Sequence, residues 1–479
     1  MRQDSREVLD PKQEVLDPKQ EVPAPFTFLR IFLSEVCRMK KIIPALLYGL
    51  TVLAISGCAL NTKEFASGEK DSSLPGVIPL EEIIVDLDET TPVSKDGVYE
   101  DDVSEVSVIE DYVHGADGYF NLLEEYPEIE MKYQEGGTCW LYSGACNMET
   151  CYAMKYNEYI SLNPLEMLDR IYLDEKEEGF ILHKGVNGKN LGGWQWMITE
   201  TLSNGFGDCV LDSSVILDSA DREAIKENLR TRGAVSVGVN DTHNSLKGLH
   251  GKYYTINYGM EEFDHDISIV GYDDHFPKEY YNIPASEDGA WITYNSAYGS
   301  SRYYYVSYCS PLEYAISHSV TEEYRNVLAY DAGNEEDRFI KTGDATTTAN
   351  VFHEAGILAA VGTYNDFDRQ DIIIEIYDSS FANLLYSEEA TLDYHGYHTI
   401  KLKEPVNVTD YAVAITYSEG APVEGETVEY VDLDYVTTAE PGQSFIKLDK
   451  WHDLTEDGIE SELGIDFKPG NCCIKAIYQ

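Results

Sequence analysis

The chain has 479 residues, of which 43% are hydrophobic, enough for a packed core and for two or three domains of ordinary size. Its 86 acidic residues outnumber 35 basic ones, for a formal net charge of -51. A surface that acidic repels phosphate backbones, which excludes nucleic acid as a partner and leaves solubility as the plainest use of the charge.

Residues 1–38 contain a tandem copy, EVLDPKQ at 7–13 and again at 14–20, too brief to build a repeat fold. Met39-Lys40-Lys41 then opens a short positive region, Ile42 to Ile55 is apolar, and Ser56-Gly57-Cys58 closes the run. A charged start, a short apolar stretch and small residues at its end form a secretory signal, too short for a membrane span of about 20 residues. The expected true start is therefore Met39, with 1–38 an upstream extension and 39–57 the signal. The ending Ile55-Ser56-Gly57-Cys58 resembles the bacterial lipobox, which implies that Cys58 carries lipid and that the protein is exported and held at the membrane by that anchor. Residues 58–114 are acidic and aromatic-poor and read as a solvated tether.

The segment QEGGTCWLYSGACNMETCYAMKY, residues 134–156, follows. Gly136-Gly137 breaks the chain, and the spacing after it predicts a helix over 140–156. That places Cys139 at a helix N-terminus, where backbone N–H groups and the helix dipole favour a thiolate over a thiol of ordinary pKa about 8.5. Trp140 is expected to shield the site and to touch substrate. A thiolate needs an imidazole that later protonates a leaving amine. In EEFDHDISIVGYDDHF, residues 261–276, His265 opens an apolar run that predicts a buried strand ending at Gly271. The next predicted strand, 290–294, is followed by Asn295-Ser296, and Asn295 can accept the other imidazole N–H.

Taken singly, each of these residues has a bland reading: a buried thiol, a core histidine, a turn asparagine. Their order changes that. GGTCW, Gly192-Gly193, DHDISIVGYDD and NSAYG succeed one another over roughly 115–320. This set resembles the papain-like cysteine peptidases in their bacterial secreted form. His265 and Asn295 lie 126 and 156 residues after Cys139, close to that family's order and its separation of about 130–150. The resemblance implies a two-lobed α+β fold, one lobe helical and one β-barrel-like, with Cys139 as nucleophile, His265 as acid and base, Asn295 as orienter and Gln134 as oxyanion donor. It also implies that Gly192 and Gly193 let substrate backbone approach, and that the partner is a peptide or protein. The pattern departs from the family in three places. Gln134 stands five residues before Cys139 where six is usual, Ala297 replaces a tryptophan, and the P-x-x-Y-D-L-R type stretch that opens the family's mature domain is not recognisable. A competing reading is a scaffold without turnover that holds peptide or glycan.

Nine cysteines are present; six remain after Cys37, Cys58 and Cys139, and they allow about 15 pairings. A bridge between Cys146 and Cys151 is disfavoured, because five residues of helix rise about 7.5 Å. No H-E-x-x-H, C-x-x-C or EF-hand loop is present, so no metal is implied and no cofactor is expected. From 325 the texture changes to short alternating segments at 372–377, 398–402, 411–417 and 473–477, separated by Gly, Pro, Asn and Asp. These predict an antiparallel β-sandwich over 325–479 behind a peptidase domain at 115–324. Tyr330-Asp331, GYHTIKL, PGQSF and NCCIKAI resemble the lectin-like domain that follows such peptidase domains, which implies glycan as a further possible partner.

Overall fold

The structure is a computed structural model. It describes residues 112–115, 117–173, 178–205, 209–240, 248–250, 253–257, 263–281, 283, 285–298, 303–334 and 338–479. The upstream extension, the signal, Cys58 and nearly all of the acidic tether lie outside these residues. Among the described residues no helix is long and apolar enough to cross a membrane.

The predicted helix forms over Cys139–Tyr156, and its residues Cys139 to Ala153 are buried without a break. It has no solvent face, which explains why cysteines, alanines and Gly144 crowd it: the sheet and its neighbouring helices press on it from all sides. Gly144 sits against Ile198, whose Cδ1 would lie 2.4 Å from an added Cβ. The helix stops at Asn157, which takes the left-handed conformation (φ 52°) that asparagine tolerates.

Beside this helix runs an antiparallel array in the order Val210–Leu217, Glu313–Thr321, Val235–Val239, His265–Asp273, Ala290–Tyr294 and Tyr303–Ser307. Val, Ile and aromatic side chains from these strands form one core, which includes Val235, Val237, Ile267, Ile269, Trp291 and Ile292. The histidine strand continues to Asp273, two residues beyond the predicted end. Gly271 does not terminate it. An added Cβ there would lie 2.2 Å from the Phe120 carbonyl, because the strand Tyr119–Asn121 pairs directly onto it.

The C-terminal third is the predicted sandwich. One layer is Leu384–Leu392, Gln370–Asp378, Tyr411–Tyr417, Thr346–Phe352, Ser444–Lys447 and Trp451–Asp453, each hydrogen-bonded to the next. The other contains Asn326–Leu328, Ile474–Tyr478, Gly356–Asn365 and His395–Val408. Between them lies a separate core around Ile374, Val413, Ile415, Tyr411 and Ile474.

No motif in the sequence marks how the two parts join. His395 to His398 pairs with Ile216 to Ser213, so the second layer of the sandwich continues the sheet that flanks the central helix. Leu433–Val436 also pairs with Gly179–Leu182. A third core therefore mixes Trp140, Leu141 and Met148 with Tyr364, Tyr397, Tyr435 and Cys473.

Candidate active site

Cys139 is the first residue of the central helix and is 3% exposed. The loop leading to it is held from two sides. Tyr294 donates its hydroxyl to the Lys132 carbonyl, and Gln134 N donates to the Ser296 carbonyl at 3.0 Å. On the other side, Gly137 N donates to the Lys189 carbonyl at 2.7 Å. Gly136 takes φ 69°, and an added Cβ would lie 2.6 Å from that same carbonyl. Gly136 is thus required by a left-handed turn and a close approach. Thr138, at the helix N-cap, donates its hydroxyl back to the Glu135 carbonyl at 2.8 Å instead of accepting from the first-turn amides.

His265 opens its strand opposite Val239 and is 7% exposed. Its Nε2 lies 2.8 Å from Asn295 Oδ1. The same Oδ1 accepts from Ala297 N at 3.0 Å. A backbone N–H can only donate, so that atom is the amide oxygen, and His265 Nε2 must carry the hydrogen it gives. This fixes the tautomer and leaves Nδ1 for proton exchange with another group. Asn295 is 1% exposed, so the pair is dry even with Ala297 in place of an aromatic residue.

The segments that carry Cys139 and His265 are tied together by further contacts. Tyr314 donates its hydroxyl to Asp266, the residue after His265. Burial, then the charge and hydrogen bond of Asp266, hold the Tyr314 hydroxyl well above its ordinary pKa. Behind the first helical turn, Ser143 Oγ lies 2.6 Å from Ser236 Oγ and 2.9 Å from Ser268 Oγ. Asn147 donates to Ser236 Oγ and to the Ile316 carbonyl. These buried hydroxyls and amides seat the helix on the strands, and no periodicity in the sequence marks them.

Gln134 reaches across the loop: its Nε2 donates to the Gly136 carbonyl at 2.8 Å and its Oε1 accepts from Ser296 Oγ at 2.9 Å. Gly193 lies flat on the Trp140 indole, where an added Cβ would be 2.4 Å from Cε2. Trp140 itself is 0% exposed. The expectation that it touches substrate is corrected to a packing role: it supports the Gly192-Gly193 backbone from beneath. The Gly192 carbonyl is held by the Tyr172 hydroxyl at 2.6 Å.

The seven described cysteines are all free thiols, Cys146 and Cys151 included. Burial pushes the Cys146 thiol up to about 12. Cys309 differs: burial raises it, but hydrogen bonds led by the Ser286 hydroxyl outweigh that and bring it below its ordinary value. In the sandwich, His452 lies between Asp449 Oδ1 at 2.9 Å and Glu456 Oε2 at 3.2 Å. Those carboxylates, Asp449 first, raise its pKa and suit an imidazolium.

Residues 331–478 match the family described as Lectin like domain. The chain is 25% identical over 148 residues to the viral cathepsin of Choristoneura fumiferana nuclear polyhedrosis virus, covering 28% of this chain and 44% of that one. It is 23% identical over 165 residues to the viral cathepsin of Adoxophyes honmai nucleopolyhedrovirus, covering 32% and 48%. The chain thus spans less than half the length of these curated relatives. Among solved structures, it is similar to the cysteine protease and lectin-like domains of Cwp84, a surface layer associated protein of Clostridium difficile. That match has TM-score 0.59 and 17% identity, and covers 76% of this chain and 89% of that chain. A structure of clostridial Cwp84 after propeptide cleavage gives TM-score 0.58 at 16% identity, over 75% and 98%.

Proposed function

Proceeding from a papain-like peptidase fold joined to a lectin-like domain, we propose that this chain is an extracytoplasmic cysteine peptidase with Cys139 as nucleophile, His265 as acid and base, and Asn295 as orienter. The observation that carries this reading is the hydrogen bond from His265 Nε2 to Asn295 Oδ1, with Ala297 N fixing the amide's orientation. It commits Nδ1 to the thiol proton. The Cys139 sulfur, as thiolate, attacks a peptide carbonyl, and the carbonyl π pair moves to oxygen. When that pair returns, the C–N bond breaks and the amine leaves with the proton from His265 Nδ1. A water then gives its proton to Nδ1 and attacks the thioester, releasing the acid and the thiolate.

The oxyanion is assigned to the Cys139 backbone N–H and to Gln134. Gln134 Nε2 donates to the Gly136 carbonyl at 2.8 Å, at the start of the turn that leads to Cys139. Gly192 and Gly193 form the rim along which substrate backbone lies. We assign residues 115–324 to the peptidase domain and 325–479 to the lectin-like domain. Residues 39–57 are the signal and 58–114 the tether, with a lipid on Cys58.

The test is cleavage of a peptide library by the full chain. Cys139→Ala and His265→Ala should each abolish cleavage with an unchanged circular dichroism spectrum, and an active Cys139→Ala protein would sink the mechanism. For the anchor, Cys58→Ala should move the protein from the membrane fraction to the medium; if it stays membrane-bound, the lipid assignment fails. The family match over 331–478 favours a second role, holding glycan near the substrate. Cys139→Ala should then retain binding on a glycan array.

A further inference from the structure

Gln195 is wholly buried, 0% exposed, and stands between the two halves of the site. Its Nε2 donates to the Trp140 carbonyl at 2.7 Å, in the first turn of the central helix one residue after Cys139. The same nitrogen donates to Asp266 Oδ2 at 2.9 Å, one residue after His265. Its Oε1 lies 3.0 Å from His318 Nε2. His318 Nδ1 lies 2.9 Å from Ser214 Oγ, which is 2.6 Å from Thr199 Oγ1.

Each hydrogen in this chain of contacts can be placed. The Trp140 carbonyl can only accept, so the Gln195 atom facing it is the NH2 group. Both of its hydrogens are used, one on Trp140 and one on Asp266. The remaining atom is an acceptor, so His318 Nε2 donates to it. Burial pushes His318 down to about 3, so its imidazole is neutral and Nδ1 accepts from Ser214. Ser214 in turn accepts from Thr199. On the far side, Asp266 Oδ1 takes the Tyr314 hydroxyl. Every member has one orientation, which makes the chain stiff.

We propose that Gln195 is a positioning residue: it ties the first turn of the nucleophile helix to the histidine strand and so sets the distance between Cys139 and His265. The proposal rests on the reading of Cys139 and His265 as the reacting pair. It accounts for a fully buried glutamine in the run Gly192-Gly193-Trp194-Gln195-Trp196, where an apolar residue would pack at no desolvation cost. It also accounts for a locked tautomer at His318, a histidine that takes no part in the chemistry.

The experiment measures the alkylation rate of Cys139 by iodoacetamide from pH 4 to 9, mapped by mass spectrometry on the full chain, with kcat and KM on one peptide substrate. Wild type should show fast alkylation persisting well below the pKa of an ordinary thiol, because an imidazolium partner holds the thiolate. Gln195→Met should lower that acid-side rate and kcat by about tenfold or more, with KM little changed, as expected when reacting groups drift apart. Gln195→Asn, too short to reach both partners, keeps the residue polar and should move the profile in the same direction if the methionine variant does not fold. Ser214→Ala removes a buried hydrogen bond beyond the strut. It should lower the melting temperature and leave the profile in place. If both Gln195 variants lose melting temperature as Ser214→Ala does but keep the wild-type profile, Gln195 is structural only and the proposal is overturned. If wild type itself lacks acid-side reactivity at Cys139, the reacting pair fails and the proposal fails with it.

Discussion

Asn295 Oδ1 accepts two hydrogens, one from His265 at the start of its strand and one from the Ala297 amide in the turn after Ala290–Tyr294. Removing the amide frees the imidazole to rotate and to take the wrong tautomer. Asn295→Ala should therefore lower kcat by on the order of 10- to 100-fold, with the fold intact by circular dichroism; an unchanged kcat would deny the orienting role. Glu313 offers a pH test beside the same site. Burial first, and then the charge of Asp266, push its carboxyl from about 4.5 up to about 7. The folded state thus prefers the neutral acid. As pH rises from 4.5 to 7 the unfolded chain releases this proton first, so stability falls across that window and the loss is complete above it. Glu313→Gln should erase this slope: its melting temperature should gain on wild type between pH 5 and pH 8, whereas parallel curves would contradict the shift. Cys139, His265 and Asn295 could be proposed from the sequence because each sits in its own short motif. Gln195, Ser143, Asn147 and His318 could not, because a lone polar residue in an apolar run carries no partner's name. The one available signal was a glutamine between two tryptophans after a glycine pair.

The histidine strand illustrates what a glycine can mean within an element. Gly271 read as a strand end, yet the strand passes through it to Asp273. The missing side chain serves the close pairing of Tyr119–Asn121, whose backbone occupies the space a Cβ would need. Gly271→Ala must push a backbone, not a flexible side chain, and should cost about 1–3 kcal/mol or more in chemical denaturation. A loss under about 0.5 kcal/mol would show that the edge pairing is soft. The central helix misled in the opposite way. Its extent was readable to within a residue, but its burial was not, since apolar spacing implies one buried face and this helix has no other kind.

Across the whole molecule, the papain-like fold and the β-sandwich were legible as two textures but not as one sheet. Strand pairing over more than 100 residues, as between His395–His398 and Ser213–Ile216, leaves no local mark. Lys475 and Asp331 form an ion pair with both side chains fully buried beneath that shared surface. Burial raises the Asp331 carboxyl, and the Lys475 ammonium opposes the rise. Lys475→Met leaves that acid without its cation and should cost about 3–5 kcal/mol, most of it above neutral pH. Residues 112–324 produced alone should likewise fail to reach a native state. Val210–Leu217 keeps Glu313–Thr321 on one side but loses His395–His398 on the other, and Tyr364, Tyr397 and Cys473 leave the third core. A soluble fragment with a sharp near-ultraviolet spectrum would mean that the two parts fold independently.

The proposed mechanism requires Cys139 to be the one thiol activated by an imidazole. The most direct measurement is stoichiometric labelling of the full chain with a peptidyl epoxide at pH 6, mapped by mass spectrometry, in wild type and in His265→Ala. Cys309 is the informative competitor, being partly exposed with a lowered thiol pKa, whereas Cys146 is buried and inert. The account predicts one label per chain on Cys139, lost in His265→Ala. Label on Cys309 instead, or equal labelling of Cys139 with and without His265, would contradict it.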